Sequence, residues 1–195
     1  MKQRKAKIIR KTKETNILVE INLDKCQEPK ISTTIGFLDH MLTLFAVHCG
    51  IYIKIMALGD THIDDHHLVE DTGIAMGQAL KSALGDKKGI ARYGNFLLPM
   101  DEALSYIALD LSGRFFLSYC VDIKFQKTGF NYDLIQEFFY AFASFACITL
   151  HIKMIQGRNN HHIAESVFKG FGRTLRQAIA FSKDKSRIPS TKGIL

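Results

Sequence analysis

Two apolar rhythms run along this chain, one suited to strands and one to helices. The stretch ETNILVEINLD (14–24) is dense in β-branched and apolar residues and predicts a strand, with KIIRKT (7–12) as its partner. A short extended piece at 31–34 leads into GFLDHMLTLFAVHCG, whose apolar residues fit a buried helix ending near Gly50. IYIKIMAL (51–58) alternates as a strand does. From His66 to Leu84, the positions Leu68, Ile74, Ala75, Ala79, Leu80 and Ala83 suit a second helix, stopped near Gly85. Strands are then expected at 93–98, 102–110 and 115–121, a helix at 132–148, a strand at 151–157 and a helix from about His161 to Phe181. The longest apolar run, Phe138 to Leu150, is 13 residues; it is too short for a membrane span and reads as a buried helix.

Both halves therefore read strand, strand, strand, helix, strand, helix. A shift of 95 residues superposes His66 on His161, His67 on His162, Glu70 on Glu165, Gly77 on Gly172, Leu80 on Leu175 and Ala83 on Ala178. The expectation is an α+β fold built from a duplicated half, about 1–90 and 91–195. Two sheets, with helices packed between or against them, would form one catalytic unit over 1–195.

The repeat places His-His-x-x-Glu at two helix starts. Positions i and i+4 share a helix face, so His66 can share a ligand with Glu70, and His161 with Glu165. Adjacent histidines diverge by about 100° and cannot easily chelate one ion together. Two such helices therefore suit two metals. Imidazoles favour Zn, Fe, Ni or Mn, and carboxylates shift the preference toward harder ions. His40 and His151 are further imidazoles near the ends of predicted elements.

The composition narrows the setting. Cys26, Cys49, Cys120 and Cys147 show no CxxC spacing, which suits free packed thiols in a reducing compartment. The N-terminus has no apolar core of signal-peptide length, and a cytoplasmic protein is expected, with no membrane span. The net charge of +7 owes much to Lys2, Arg4, Lys5, Lys7, Arg10, Lys11 and Lys13. Such a run could touch nucleic acid, but no stacking or zinc-finger motif accompanies it. A solvated edge strand whose lysines block edge pairing is the simpler reading.

Several stretches together resemble the imidazoleglycerol-phosphate dehydratase family. They are FLDHML (37–42), GDTHIDDHHLVEDTGIAMGQAL (59–80), KKGIARYG (87–94), PMDEAL (99–104), DLSGR (110–114), TLHI (149–152), GRNNHHIAESVFK (157–169) and PSTKG (189–193). The resemblance spans nearly the whole chain in family order. It implies a duplicated fold of the ribosomal protein S5 domain 2-like type, and dehydration of imidazole glycerol phosphate to imidazole acetol phosphate in histidine biosynthesis. It also implies two Mn²⁺ per active site and a 24-subunit homo-oligomer with sites at subunit contacts. The implied metal ligands are His40, His66, His67, Glu70, His151, His161, His162 and Glu165. Arg92, Arg114, Lys169, Ser190 and Lys192 would bind the substrate phosphate, and Glu14 would be the acid/base. One position departs from the pattern: relatives carry Gln four positions after the LDH histidine, where this chain has Leu44. His48 is kept as a substrate neighbour and His62 as a surface residue.

The implied chemistry is coherent. The proton to be removed is not next to a carbonyl, so a base alone faces a high barrier. An imidazole held as imidazolate by both metals can push electrons outward and expel the adjacent hydroxyl. Loss of the neighbouring C–H proton to Glu14 then gives an enol that ketonises. Basic residues would fix the phosphate and hence the reacting carbons. A dinuclear metallohydrolase acting on a phosphorylated small molecule could use the same ligands, with metal-bound hydroxide as nucleophile.

Overall fold

The computed structural model describes residues 3–124, 129–182 and 184–195; Lys2, counted above in the basic run, lies outside them. The first half contains β1 (Lys5–Lys11), β2 (Thr15–Asn22), β3 (Lys30–Ser32), α1 (Gly36–Cys49), β4 (Tyr52–Gly59) and α2 (His66–Leu84). The second contains β5 (Tyr93–Met100), β6 (Ala103–Asp110), β7 (Phe116–Cys120), α3 (Leu134–Ala146), β8 (Thr149–Gln156) and α4 (Asn160–Ile179). The sheets have matching orders, β1-β2-β4-β3 and β5-β6-β8-β7. In each, the first two pairings are antiparallel and the last is parallel. The α+β duplication is therefore present in topology as well as in sequence.

Period-2 alternation decides which sheet face is buried. Ile17, Val19 and Ile21 of β2 point inward with Ile53, Ile55 and Ala57 of β4. In the second sheet Ile107, Leu109, Leu150 and Ile152 do the same. α2 lies on the first sheet and α4 on the second, while α1 packs on α4 and α3 on α2. The helices thus lie between the sheets, each half's first helix against the other half's second. Phe45 of α1 stacks on Phe171 of α4, and the buried apolar residues of both halves form one cluster, so one apolar core joins the halves.

Two glycines allow those cross-half helix contacts. A Cβ on Gly77 of α2 would lie 2.5 Å from the Phe142 carbonyl oxygen of α3. A Cβ on Gly172 of α4 would lie 2.6 Å from the Phe45 carbonyl oxygen of α1. These positions are 95 residues apart, so the repeat in the sequence records a repeated close approach.

Local differences from the sequence expectation have simple causes. The run Phe138 to Leu150 is not one helix: α3 stops at Ala146, Cys147 turns into the left-handed region (φ 53°), and β8 starts at Thr149. Apolarity alone cannot show that stop. Glu14 lies in the β1–β2 turn and not in a strand, because Thr12 Oγ1 accepts the N–H groups of Glu14 and Thr15 and closes the turn. β1 is an edge strand, but Arg10 bonds Asp71, Lys7 pairs with Glu20 and Arg4 pairs with Asp24. Cys49 is buried as expected for a packed thiol, whereas Cys26 and Cys120 are exposed. Among the described residues, no helix is long and apolar enough to cross a membrane.

Candidate metal and active site

Both HHxxE segments open a helix, and both are fixed there by a capping oxygen. Asp64 Oδ1 accepts the His66 N–H at 2.8 Å. Asn159 Oδ1, 95 residues on, accepts those of His161 at 2.9 Å and His162 at 3.4 Å. These bonds satisfy donors that a helix start leaves without partners. The adjacent rings stand apart, with centroids 6.3 Å apart for His66 and His67 and 6.5 Å for His161 and His162, and with nearly perpendicular planes. Each first histidine faces the carboxylate one turn on: His66 Nε2 is 3.7 Å from Glu70, and His161 Nε2 is 3.0 Å from Glu165.

α1 adds a third donor to the second segment. His40 Nε2 lies 3.1 Å from the same Glu165 oxygen, Oε1, that His161 approaches. Lys169 Nζ donates to the other oxygen. Burial alone would raise the Glu165 pKa, but hydrogen bonds from Lys169, His40 and His161 outweigh it and hold the carboxyl at about 2. His40, His161 and Glu165 present three ligand atoms within 4.8 Å of one another. This imidazole–carboxylate set fits a borderline divalent metal.

A second group of this kind joins His67, Glu14 and Asp60. His67 Nδ1 lies 3.1 Å from Asp60 Oδ2 and 3.8 Å from Glu14 Oε2. The bond to Asp60, with the nearby charge of Glu14, raises the His67 pKa above its ordinary value. The Glu14 turn is tied to α2, since Thr15 Oγ1 donates to Asp71 Oδ2 and Arg10 Nε to Asp71 Oδ1 at 2.8 Å.

His162 has its own carboxylate. Its Nδ1 is 2.7 Å from Glu102 Oε2, and Asp101 is 3.7 Å from its Nε2. Glu102 Oε1 also accepts the Asn159 N–H at 2.8 Å and the Arg158 N–H at 3.3 Å. The bond from His162, with these backbone donors, holds the Glu102 pKa at about 2. No role was expected for Asp60 or Glu102. Their only signal was a place inside GDTHIDD and PMDEAL, and their link to histidine exists only once each turn folds over its helix.

The remaining expected residues do not join the Glu165 group within one chain. His151 is exposed on the outer face of the second sheet, beside Phe116, away from the helix layer. Arg92, at φ 73°, is gripped by Asp110 (Nε–Oδ1 2.7 Å) and donates to the Pro189 carbonyl at 2.8 Å, next to Ser190. Its backbone N–H reaches Ala178, so it sits at the far end of α4 from Glu165 and Lys169. Arg114 follows β6 in a loop closed by Ser112 Oγ, and the Lys192 N–H bonds Ser190 Oγ. His48 lies on α1 near Lys169 and Arg173; burial first, then these cations, lower its pKa. Leu44 packs against the core, and His62 is exposed in the turn before α2.

Comparison with known proteins gives one consistent answer. The family model for imidazoleglycerol-phosphate dehydratase matches residues 33–175. The imidazoleglycerol-phosphate dehydratase of Endomicrobium trichonymphae is 78% identical over the whole of both chains, and that of Desulforamulus reducens is 52% identical, also over the whole of both. The crystal structure of IGPD from Pyrococcus furiosus superposes with a TM-score of 0.84 at 41% identity, covering 96% of this chain and all of that one. The enzyme from Staphylococcus aureus gives 0.81 at 40% identity, covering 91% and 99%. With the duplicated fold, the paired HHxxE helices and this similarity across its length, the chain belongs to the imidazoleglycerol-phosphate dehydratase family.

Proposed function

We propose that this hydro-lyase of histidine biosynthesis removes water from imidazole glycerol phosphate in a reaction that depends on two divalent ions, Mn²⁺ in each position. The observation that carries the metal dependence is the meeting of His40 Nε2 and His161 Nε2 at one Glu165 oxygen. His66 and Glu70 provide the corresponding pair in the first half, and His67, His151 and His162 complete the ligand set. When bound, the ions would hold the substrate imidazole as its anion and supply the electron push that expels the hydroxyl.

The chain's own groups do the rest. Glu14, exposed at its turn, takes the C–H proton and returns one as the enol ketonises. The tie from Thr15 and Arg10 to Asp71 holds that turn against α2. Arg92, oriented by Asp110, meets the phosphate with Arg114, Ser190 and Lys192, while Lys169 binds it from beside Glu165. Residues 1–195 act as one catalytic unit, with repeats at about 1–90 and 91–195. Because the expected ligands and anchors lie apart in one chain, neighbouring copies complete each site, in a 24-subunit homo-oligomer. The four free thiols suit a cytoplasmic enzyme.

The test is turnover of imidazole glycerol phosphate by protein stripped with a chelator and then resupplied with Mn²⁺. Stripping should abolish formation of imidazole acetol phosphate and Mn²⁺ should restore it. Full turnover without metal, or release of inorganic phosphate in place of water, would overturn the reading. Sedimentation at the mass of one or two chains would overturn the assembly.

A further inference from the structure

We propose that Glu102 and Asp60 are positioning residues that fix the ring of the second histidine in each HHxxE, and that this division leaves Glu14 free for proton transfer. The inference rests on the metal-dependent reading above and adds the ligating atom: Nε2 for both His67 and His162.

The argument begins with hydrogen-bond inventory. An ionised carboxylate only accepts, so a neutral imidazole facing one must carry its proton on the facing nitrogen. His162 Nδ1 is 2.7 Å from Glu102 Oε2, and His67 Nδ1 is 3.1 Å from Asp60 Oδ2. Both rings are therefore held as the Nδ1–H tautomer, with Nε2 left to accept; at His162 that nitrogen is 3.7 Å from Asp101, beyond hydrogen-bond distance. A carboxylate behind a metal-binding histidine fixes tautomer and orientation and raises ligand basicity.

The duplication shows why different residues do this in the two halves. Glu14 immediately precedes β2, and Glu102 immediately precedes β6, so they are structural counterparts in the two hairpin turns. Glu102 bonds its histidine directly and is anchored from behind by the Asn159 and Arg158 N–H groups. Glu14 stays 3.8 Å from His67 Nδ1, because Asp60, the residue following β4, already occupies that nitrogen. Gly59 and Gly157 are counterparts, facing Leu68 and Thr15 in one half and Ile163 and Ala103 in the other, so the counterpart of Asp60 is Arg158. An arginine carries no acceptor for an imidazole N–H, so in the second half the hairpin carboxylate must serve His162 itself. In the first half Asp60 takes that task, and the hairpin carboxylate is released.

Three variants separate these roles. Glu102→Gln keeps an amide oxygen for the Asn159 and Arg158 N–H groups, but it can turn a donor toward His162. Solid-state ¹⁵N NMR of histidine-labelled, metal-free protein reads the tautomer, with His162→Gln used to assign the signal. Wild type should show Nδ1–H at His162 and Glu102→Gln should shift it toward Nε2–H. Mn²⁺ affinity, by titration calorimetry, should fall on the order of 10–100-fold in Glu102→Gln and in Asp60→Asn. Glu14→Gln should leave Mn²⁺ affinity within about twofold of wild type while turnover falls on the order of 100-fold or more. Unchanged tautomer and unchanged affinity in Glu102→Gln would overturn the proposal. Loss of metal in Glu14→Gln equal to that in Glu102→Gln would overturn the division of roles. Absence of Mn²⁺ binding by wild type would instead sink the metal-dependent reading, while the metal-free tautomer measurement still decides the role of Glu102.

Discussion

Replacing Gly172 with Ala tests whether close contact between α1 and α4 assembles the His40–Glu165–His161 group. The new Cβ would sit 2.6 Å from the Phe45 carbonyl oxygen and 3.1 Å from the Cys49 nitrogen. The first contact is about 0.8 Å short of ordinary van der Waals distance, and its partner is backbone, which cannot rotate away. Overpacking of this kind costs about 1–3 kcal/mol, whereas Ala in place of Gly in a helix recovers about 1 kcal/mol. The net expectation is a loss of about 1 kcal/mol, or about 2–4 °C in Tm for a chain of this size. The functional effect should exceed the stability effect. Moving α1 out by most of that shortfall stretches His40 Nε2–Glu165 Oε1 from 3.1 Å beyond hydrogen-bond range. Mn²⁺ affinity should drop on the order of tenfold, as it does when a ligand loses its support. Urea unfolding and calorimetric titration read the two effects, with Gly36→Ala as control because no atom lies within 4 Å of a Cβ there. A Gly172→Ala protein with undiminished stability and undiminished Mn²⁺ affinity would refute the reasoning.

Further outcomes follow from single contacts. Arg10→Ala strips the nearly buried Asp71 of its cation and should cost about 2–3 kcal/mol, less than a fully buried pair because Arg10 is partly exposed; wild-type stability by urea titration would contradict it. Cys147→Gly relieves a left-handed residue at the same cap where α1 has Gly50, and should stabilise by roughly 0.5–1 kcal/mol, read as a raised urea midpoint. In metal-free protein the Glu102–His162 pair should stabilise the fold over a limited pH window. Glu102, held at about 2, contributes above the ordinary carboxylate range and loses this as pH falls toward 2. His162, raised by Glu102, contributes below its ordinary 6.5 and loses this as pH rises through its raised value. An unfolding-versus-pH profile that is identical in Glu102→Gln would rule this out.

Much of the molecule was legible before any coordinates. Strand and helix periods are local properties of backbone geometry, so the order of the twelve elements among the described residues followed from the pattern, with errors confined to ends such as the stop at Cys147. The helical pairing of His66 with Glu70 and His161 with Glu165 follows from spacing alone, as does the divergence of adjacent rings. The 95-residue repeat gave the duplication. What the sequence could not show was which elements from different halves would touch. The contact of α1 with α4 brings His40 to Glu165 across 125 residues, and two hairpin turns and a strand end bring Glu102, Glu14 and Asp60 to their histidines. Such encounters depend on how the helix layer closes between two sheets, a packing outcome to which no short window of sequence is sensitive. The same closure leaves His151 on an outer sheet face and Arg92 paired with Asp110 at the far end of α4. Chain order thus set the chemical groups and their local faces, and tertiary packing decided which of them meet.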